Sequence, residues 1–380
     1  MDNKLLVLAM GLVVILIVSV FAGAELLNSP QSTPEFFVGV ELAYANATSS
    51  DVRDLVDKVK DYTNLFVIGS PMISRNETML NETCDYVYDS GLSFIVLFTS
   101  TPVYDYIPYV WIMKAKQKYG DRFLAVYRYD EPGGNVLDRG SEALIDEEYV
   151  GETVNYSHAA RTYVDLLYGH LEYYLYAGAD VITADYGLYW FDYMGGYASV
   201  FAEFGSNHSR EMNVAACRGA ARAQERDWGA VITWTYNDTP YIESGQRVYE
   251  DMELAYHAGA KYVVVFNYPK IDRYGILTEE HFDALKRFWK YINNNPQNHG
   301  INSGEVAYVL PKDYGFGYRS SIDHVWVWDA DELSQKVWDD GNRLVSQYDS
   351  RFDIVYNDPE FISAIKLRYD KLFFWNETVP

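Results

Sequence analysis

The sequence predicts an α/β fold: a (β/α)8 TIM barrel with a small carboxyl-terminal α/β unit after it and a transmembrane or signal segment before it. Short runs of β-branched and aromatic residues alternate with longer amphipathic segments, a pattern typical of parallel strands joined by helices. Eight such units fit in about 250 residues, the usual size of this barrel. Four predicted helices are followed by a glycine, which is favoured where a helix ends, at Gly91, Gly120, Gly178 and Gly259.

The predicted barrel strands are the short apolar runs. In chain order they cover residues 36–42, 65–69, 94–99, 123–129, 181–185, 199–204, 230–236 and 262–267. The helical patterns between and after them cover residues 50–62, 77–90, 103–119, 157–177, 209–226, 245–258 and 279–291. The fifth and sixth strands leave room only for a short helix at about 189–194.

An alternative register leaves out the strand at 199–204 and takes residues 306–310 as the eighth strand. We prefer the first register because the barrel then closes before the polar segment 293–300, which has the composition of a linker. The long segment 133–155 exceeds an ordinary connection between a strand and its helix. It is expected to be either a lid or wall of a site, or a mobile solvated insertion.

The chain divides into three predicted parts. Residues 1–24 are a signal anchor or signal peptide, residues 25–295 form the barrel, and residues 300–380 form the small α/β domain. The strands predicted in this last part lie at 305–310, 352–356 and 372–375, with an optional one at 324–328, and its helices at 331–346 and 359–369.

The amino-terminal segment is expected to cross a membrane. Residues 5–24 carry no charge and are about as long as a bilayer-spanning helix requires. Lys4 precedes the segment and Glu25 follows it, which favours a cytoplasmic amino terminus and a body outside the cell. Small residues around Ala24 also fit a cleavage site, so the body is expected to be anchored at the cell surface, or secreted if cleavage follows Ala24.

Seven Asn-x-Ser/Thr sequons support export, because they exceed the number expected by chance and are acceptors for N-glycosylation only outside the cytosol. They are Asn46, Asn76, Asn81, Asn155, Asn207, Asn237 and Asn376.

Composition excludes several classes of function. The net charge of -23 argues against a nucleic-acid partner. The two cysteines, Cys84 and Cys217, lie on the second and sixth predicted barrel helices, so we expect free buried thiols rather than a disulfide. The seven histidines form no zinc-binding motif, and no glycine-rich phosphate loop is present, so no metal and no cofactor are predicted. The oligomeric state is not predicted.

The motif Tyr129-Asp130-Glu131-Pro132 places two neighbouring carboxylates where the fourth predicted strand ends. Pro132 removes a backbone donor and disfavours continuation of the strand. Carboxylates at the carboxyl ends of barrel strands are where glycosidases hold their acid and base. Glu131 and Asp130 are therefore candidate catalytic residues.

Other strand ends carry acids that should converge on the same rim. Glu41 ends the first strand, Asp185 the fifth and Glu203 the sixth. Acids at the ends of apolar strands are costly unless they share a polar cleft, which makes Asp185 and Glu203 further candidates for catalysis. Substrate contacts are predicted for Glu41 and for the aromatic and amide residues after the later strands, Tyr186, Trp190, Trp234, Tyr236, Asn267 and Tyr268.

A barrel whose fourth strand ends in Asp-Glu resembles the (β/α)8-barrel glycoside hydrolases, above all the substrate-assisted hexosaminidases. The resemblance covers the Tyr-Asp-Glu-Pro motif and the rhythm of strands and helices. It implies that Glu131 is the general acid/base and that Asp130 stabilises the acetamido group of the substrate, which acts as the nucleophile.

Two other arrangements remain open. The clan with Asn-Glu-Pro on the fourth strand and a nucleophile on the seventh is similar, but Asp130 replaces its Asn and the segment 231–236 ends without Glu. Alternatively, Glu131 pairs with Asp185 or Glu203 as the nucleophile.

The sequence therefore predicts an exported glycoside hydrolase that acts on cell-surface or extracellular glycans. Its partners would be a carbohydrate substrate and, through residues 5–24, a membrane. The competing hypothesis is a non-catalytic glycan-binding or cell-envelope glycoprotein whose carboxylates are structural.

Overall fold

The computed structural model describes residues 36–99, 103–151, 153–206 and 208–380. Eight parallel strands close into a barrel in chain order, and β8 pairs with β1, which confirms the predicted (β/α)8 fold. The alternative register is wrong, because 199–204 lies in the barrel and 306–310 does not. The barrel strands are β1 Phe37–Leu42, β2 Leu65–Ile68, β3 Ser93–Phe98, β4 Phe123–Arg128, β5 Val181–Asp185, β6 Ser199–Phe204, β7 Asp227–Ile232 and β8 Tyr262–Val265.

The helices of the barrel part surround these strands. They are α1 Ser49–Val59, α2 Pro71–Ser74, α3 Glu77–Asp89, α4 Pro108–Tyr119, α5 Pro132–Leu137, α6 Glu147–Val150, α7 Tyr156–Tyr176, α8 Tyr189–Met194, α9 Arg210–Ala223, α10 Gly245–His257 and α11 Glu279–Asn294. The four glycines predicted after helices all have positive φ, from 56° to 87°, the conformation that ends helices without the strain of a Cβ atom.

Two predictions about the barrel part need correction. The seventh strand ends at Ile232 and not at residue 236, so Trp234 and Tyr236 lie in the loop beyond it. The segment 133–155 is not one long loop, because α5 begins at Pro132 and α6 lies within it. Proline suits the first position of a helix because its fixed φ is helical and its missing N–H is not needed there.

Alternation along the strands decides which side chains enter the barrel. Successive side chains of a strand point to opposite faces, and Phe37, Tyr127 and Phe201 belong to the cluster that fills the barrel interior. Glu41 and Glu203 have the same parity as Phe37 and Phe201, so they point inward near the carboxyl ends of β1 and β6. The apolar residues of opposite parity pack against the helices in the larger outer cluster.

The carboxyl-terminal part contains a parallel three-stranded sheet in the order β10-β9-β11. Its strands are β9 Val306–Leu310, β10 Phe352–Tyr356 and β11 Lys371–Phe374, with helices α12 Ser334–Tyr348 and α13 Ile362–Arg368. The optional strand at 324–328 is absent from the described residues, where Val325 makes only isolated bridges to Phe316 and Trp328. Residues 36–380 form one compact unit.

Cys84 and Cys217 are both free and buried, as predicted. The predicted membrane segment 5–24 and the predicted cleavage site lie outside the described residues. Among the helices that are described, none is both long and apolar enough to cross a membrane.

Arg218 joins α9 of the barrel to the carboxyl-terminal sheet. Its guanidinium is 1% exposed and donates from Nε to Asp353 at 2.7 Å. The two Nη atoms donate to backbone carbonyls of Ala258, Asn302, Ser350 and Phe352. A buried arginine is stable only when its donors are satisfied in this way.

We expect Arg218→Ala to lower the free energy of unfolding by about 3–5 kcal/mol, because Asp353 would keep a buried charge without its main partner. Urea denaturation followed by circular dichroism measures the loss. Arg226 lies in the exposed turn after α9, and Arg226→Ala should change stability by less than about 0.5 kcal/mol. Equal effects of the two substitutions would contradict the assigned role of Arg218.

Candidate active site

A cleft of about 740 Å³ opens at the carboxyl ends of the barrel strands. Five carboxyl-bearing residues reach it, together with aromatic side chains and two basic ones. The polar and aromatic residues that line it are Glu41, Tyr127, Asp130, Glu131, Asp138, Tyr186, Glu203, Ser206, His208, Thr233, Trp234, Asn237, Phe266, Tyr268 and Arg319. The structure therefore brings together three of the four predicted catalytic residues.

The backbone turns sharply between β4 and α5 to place Glu131 in the cleft. Tyr129 and Glu131 have φ of 58° and 49°, a left-handed conformation that costs roughly 1–2 kcal/mol for residues with a Cβ atom. The Glu131 N–H donates to the Ala184 carbonyl at 3.0 Å, which ties the turn to the end of β5. Strained residues held by their surroundings are concentrated at functional sites.

Asp185 holds this turn in place from behind the cleft. Its carboxylate accepts the backbone N–H groups of Gly133 at 2.6 Å and Gly134 at 2.8 Å, and those of Tyr186 at 2.7 Å and Gly187 at 3.2 Å. The side chain is fully buried. Burial raises the pKa of Asp185 to about 7, and the four amide hydrogen bonds oppose that rise.

The prediction that Asp185 could be a nucleophile is therefore not supported by its position. Asp185 has the opposite parity to Ala184, which faces the barrel interior. Both of its oxygen atoms accept hydrogen bonds and it does not line the cleft. Asp185 is a positioning residue for the turn that carries Glu131.

Glu131 and Glu203 meet across the cleft, one after β4 and the other near the end of β6, and their carboxyl groups are hydrogen-bonded to each other. Burial raises the pKa of Glu131 to about 8, with a further rise from the charges of Asp130 and Asp185. Burial also raises the pKa of Glu203 well above its ordinary value, as does the charge of Glu131. Two such groups in contact share a proton near neutral pH.

Glu41 and Asp130 form a second group of acids beside this pair. Glu41 is 5% exposed, and burial followed by the charge of Asp130 raises its pKa to about 8. The Asp130 side chain opens into the cleft and accepts a hydrogen bond from the Tyr127 hydroxyl. The surrounding walls still remove enough water to raise the pKa of Asp130, which the hydrogen bond from Tyr127 opposes.

Aromatic side chains form one wall of the cleft, as expected for a sugar-binding surface. The rings of Trp234 and Tyr268 are stacked, with centroids 5.8 Å apart and planes 17° apart. The Trp234 indole donates to the Tyr268 carbonyl at 2.6 Å. On the other side, the Tyr186 hydroxyl donates to Asp138 at 2.7 Å. Trp234, Tyr268 and Tyr186 therefore line the cleft, and their contact with a substrate stays a prediction.

Three residues predicted to bind substrate do not line the cleft. Trp190 is 3% exposed because α8 packs it against Tyr356 and Phe361 of the carboxyl-terminal part. Asn267 is fully buried and joins Tyr44 to the backbone of Ile276. Tyr236 is exposed on the loop after β7 and donates to Glu243 at 3.0 Å. Each is explained by local packing rather than by a ligand.

The lining residues that were not among the predicted site residues include Tyr127, Asp138, His208 and Arg319. Arg319 comes from the carboxyl-terminal part, and it binds Asp323 through Nε and Nη2, at 2.9 and 2.7 Å, and Asp138 through Nη1. Burial and the neighbouring Arg319 lower the pKa of His208, so its ring is neutral near pH 7. The alternation of residues along the fourth strand placed Tyr127 on its inward face, so the sequence could have indicated it. No sequence pattern indicated Arg319.

The described residues contain no group of three or more His, Cys, Asp or Glu side chains arranged to hold a metal ion.

The sequons differ in their surroundings. Two of them lie on α3 or at its start and are half-buried: Asn76 donates to Asp105 at 2.8 Å, and Asn81 accepts from the Trp111 indole at 2.8 Å. Asn207 lies outside the described residues. The exposed sequon asparagines are Asn46, Asn155, Asn237 and Asn376, and glycosylation at all seven positions stays a prediction.

Comparison with known proteins supports the fold. The sequence matches no protein-family model and no curated protein. The structure is similar to GH5_18 from Streptomyces cattleya in complex with GlcNAc, with a TM-score of 0.53 and 12% identity over 90% of this chain and 99% of that one. GH5_18 from Bifidobacterium longum subsp. longum gives 0.53 and 10% over 90% and 98%.

A third similar structure is α-L-fucosidase isoenzyme 2 from Paenibacillus thiaminolyticus, with a TM-score of 0.51 and 10% identity over 84% of this chain and 58% of that one. These similarities confirm, at the level of the fold, the resemblance to barrel glycoside hydrolases that the sequence indicates.

We expect the buried acid Glu41 to make the protein less stable as the pH rises. Its pKa is about 8 in the folded state against an ordinary 4.5, so the folded state binds more protons between these values and stability falls across that range. Glu41→Gln removes this titrating group, so the variant should lose less unfolding free energy than the wild type between pH 5 and pH 8.5. The difference should exceed about 1 kcal/mol, since each pKa unit corresponds to about 1.4 kcal/mol.

Urea denaturation of both proteins at the two pH values measures this effect. Glu82 is exposed on α3, and Glu82→Gln serves as the matched control that should leave the pH dependence unchanged. If Glu41→Gln also left it unchanged, Glu41 would not be a buried titrating group.

We expect Asp185→Asn to loosen the turn that carries Glu131, because an amide nitrogen cannot accept the backbone N–H groups that one carboxylate oxygen accepts now. The free energy of unfolding should fall by more than about 2 kcal/mol. Hydrogen–deuterium exchange should become faster at the amides of Gly133 and Gly134. Asp180→Asn, at an exposed site before β5, is the control; unchanged exchange at Gly133 and Gly134 in Asp185→Asn would refute the positioning role.

Proposed function

We propose that this chain is a glycoside hydrolase that uses two carboxyl groups of its own, with Glu131 as the general acid/base and Glu203 as the nucleophile. The observation that carries the proposal is the hydrogen-bonded pair of these two carboxyls inside a cleft at the carboxyl end of the barrel. Barrel enzymes of this architecture hold their reacting groups at that end. The fold of the GH5_18 proteins and of the fucosidase is consistent with it.

The closeness of the pair favours a retaining reaction. Inverting enzymes need about 6.5–9.5 Å between their carboxyls to admit a water molecule, whereas retaining enzymes keep about 5–5.5 Å. The carboxyl groups of Glu131 and Glu203 are in hydrogen-bonding contact, so they must move apart less to reach the retaining distance than the inverting one. Direct attack by Glu203 is therefore the simplest use of this geometry.

The raised pKa of Glu131 suits a proton donor. A general acid must hold its proton at the working pH, and a pKa of about 8 keeps Glu131 protonated near neutrality. Burial and the charge of Glu131 raise the pKa of Glu203 as well, so the assigned roles require the proton that the pair shares to reside on Glu131 when the sugar is bound. The positive charge that develops on the sugar in the transition state favours this arrangement, because it stabilises the anionic form of Glu203 opposite it. The strained backbone of Glu131, held by Asp185, fixes the donor in position.

The two other arrangements have less support. In a substrate-assisted reaction Asp130 would stabilise an acetamido group, and its place in the cleft next to Glu131 allows this. A nucleophile on the seventh strand would need an acid after Ile232, where Thr233 and Trp234 stand instead. The Glu131–Glu203 pair requires neither an acetamido substrate nor a missing residue.

We further propose that the body of the protein is exported and acts on extracellular glycans, anchored through residues 5–24 or secreted after cleavage. The uncharged segment 5–24 and the exposed sequon asparagines Asn46, Asn155 and Asn376 support this location. One GH5_18 protein has been solved with Manβ1-4GlcNAc, and glycans of that kind are a reasonable first substrate panel.

The experiment that tests the catalytic proposal compares wild-type protein, Glu131→Gln and Glu203→Gln on a panel of aryl glycosides. Loss of the general acid should lower kcat by about 10²–10⁴-fold for poor leaving groups. The loss should be much smaller for nitrophenyl leaving groups, which depart without protonation, whereas Glu203→Gln should be inactive on both. Proton NMR of the first product should show the starting anomeric configuration.

Glu82→Gln is again the matched control and should hydrolyse the panel at the wild-type rate. Wild-type rates in Glu131→Gln, or an inverted product, would overturn the assigned roles.

A further inference from the structure

Glu41 is the acid of the cleft whose carboxyl group has no partner in the part of the chain that the structure describes. Among the described residues it makes no hydrogen bond and no ion pair, although it is 5% exposed and lines the cleft. Its neighbour Gly69 leaves it room, because a Cβ atom at that position would collide with Glu41 Oε1. A buried carboxylate without a partner is costly, and in the free protein Glu41 avoids that cost by keeping its proton near neutral pH. A cation supplied from outside the protein would let Glu41 ionise.

Asp130 faces the same part of the cleft. Its charge acts on Glu41. The charges of both acids act on the Tyr127 hydroxyl, which donates its only proton to Asp130. Glu41 is thus left with a like charge beside it and no donor. Two carboxylates arranged in this way are stabilised by a cation placed between them.

The basic residues of the cleft cannot serve as that cation. Arg319 is already bound by Asp323 and Asp138, and His208 is neutral because burial and Arg319 lower its pKa. A positive charge carried by the ligand itself would meet both acids.

We propose that the sugar bound in this cleft is an amino sugar with a free, protonated amine, and that its ammonium group lies between the carboxylates of Glu41 and Asp130. An ammonium group has three N–H donors and no acceptor. It therefore matches the oxygen atoms of two carboxylates, which only accept hydrogen bonds. Sulfated and acidic sugars are disfavoured by the uncompensated acids of the cleft. This inference rests on the proposed function and narrows its substrate class; a free amine cannot take part in substrate-assisted catalysis, so a protein nucleophile is then required.

Binding tests the inference without dependence on turnover. Full-length Glu131→Gln protein is titrated calorimetrically at pH 6.5 and low salt with glucosamine, galactosamine and mannosamine, with chitosan oligosaccharides, and with the N-acetylated form of each. At least one free amine should bind roughly 10- to 100-fold more tightly than its N-acetylated form, the usual range for a charge-assisted hydrogen bond. High salt should reduce this preference.

Glu41→Gln, made in the same background, should abolish the preference and Asp130→Asn should weaken it. Glu82→Gln should keep it. Melting curves of all variants verify that they are folded. Equal or tighter binding of the N-acetylated forms, absence of binding by every amine, or a preference that survives in Glu41→Gln would each overturn the inference.

The outcomes separate this inference from the proposed function. Hydrolysis of neutral glycosides that depends on Glu131, without any preference for amines, would leave the hydrolase standing and remove the amino-sugar specificity. Amine-selective binding that depends on Glu41, without hydrolysis of any glycoside by the wild-type protein, would support the amine site and remove the hydrolase.

Discussion

The candidate site depends on one carboxylate that never touches the cleft. Asp185 collects four backbone N–H groups from the two loops that follow β4 and β5, and in doing so fixes the turn in which Glu131 adopts a left-handed conformation. Together with the bond from the Glu131 N–H to the Ala184 carbonyl, these hydrogen bonds compensate for the strain at Glu131. The contact between Glu131 and Glu203 therefore depends on the loops after β4 and β5 as much as on the two glutamates.

Contacts throughout the protein must offset the free-energy cost of placing these acids in the cleft. Carboxyl groups held close together and away from water oppose folding, and the mouth of the barrel holds several of them. The apolar interior of the barrel and the packing of helices around it must offset that cost. The carboxyl-terminal part contributes to the wall itself, because Arg319 forms ion pairs with Asp138 and Asp323 at its edge. The site belongs to both parts of the chain.

Much of this architecture could be predicted from the sequence, because strand runs and helix-ending glycines are local signals. Strands β5 and β6 were placed without error, and Glu41, Asp130, Glu131 and Glu203 were all assigned to the cleft they line. The failures are equally physical. Asp185 differs from Glu203 by the parity of its strand position, which turns it outward. Trp190 and Arg319 depend on how the carboxyl-terminal part packs, and no local pattern encodes that contact.

The five donors of Arg218 have a consequence for folding. Four of its five acceptors come from Asn302 and beyond, namely Asn302, Ser350, Phe352 and Asp353, and Gly219 beside it allows the β10 backbone to come close. A gene fragment ending after α11 would encode a barrel in which the guanidinium of Arg218 lacks four of its five hydrogen-bond acceptors. The barrel is therefore built to fold together with the carboxyl-terminal part, in agreement with the single compact unit that residues 36–380 form.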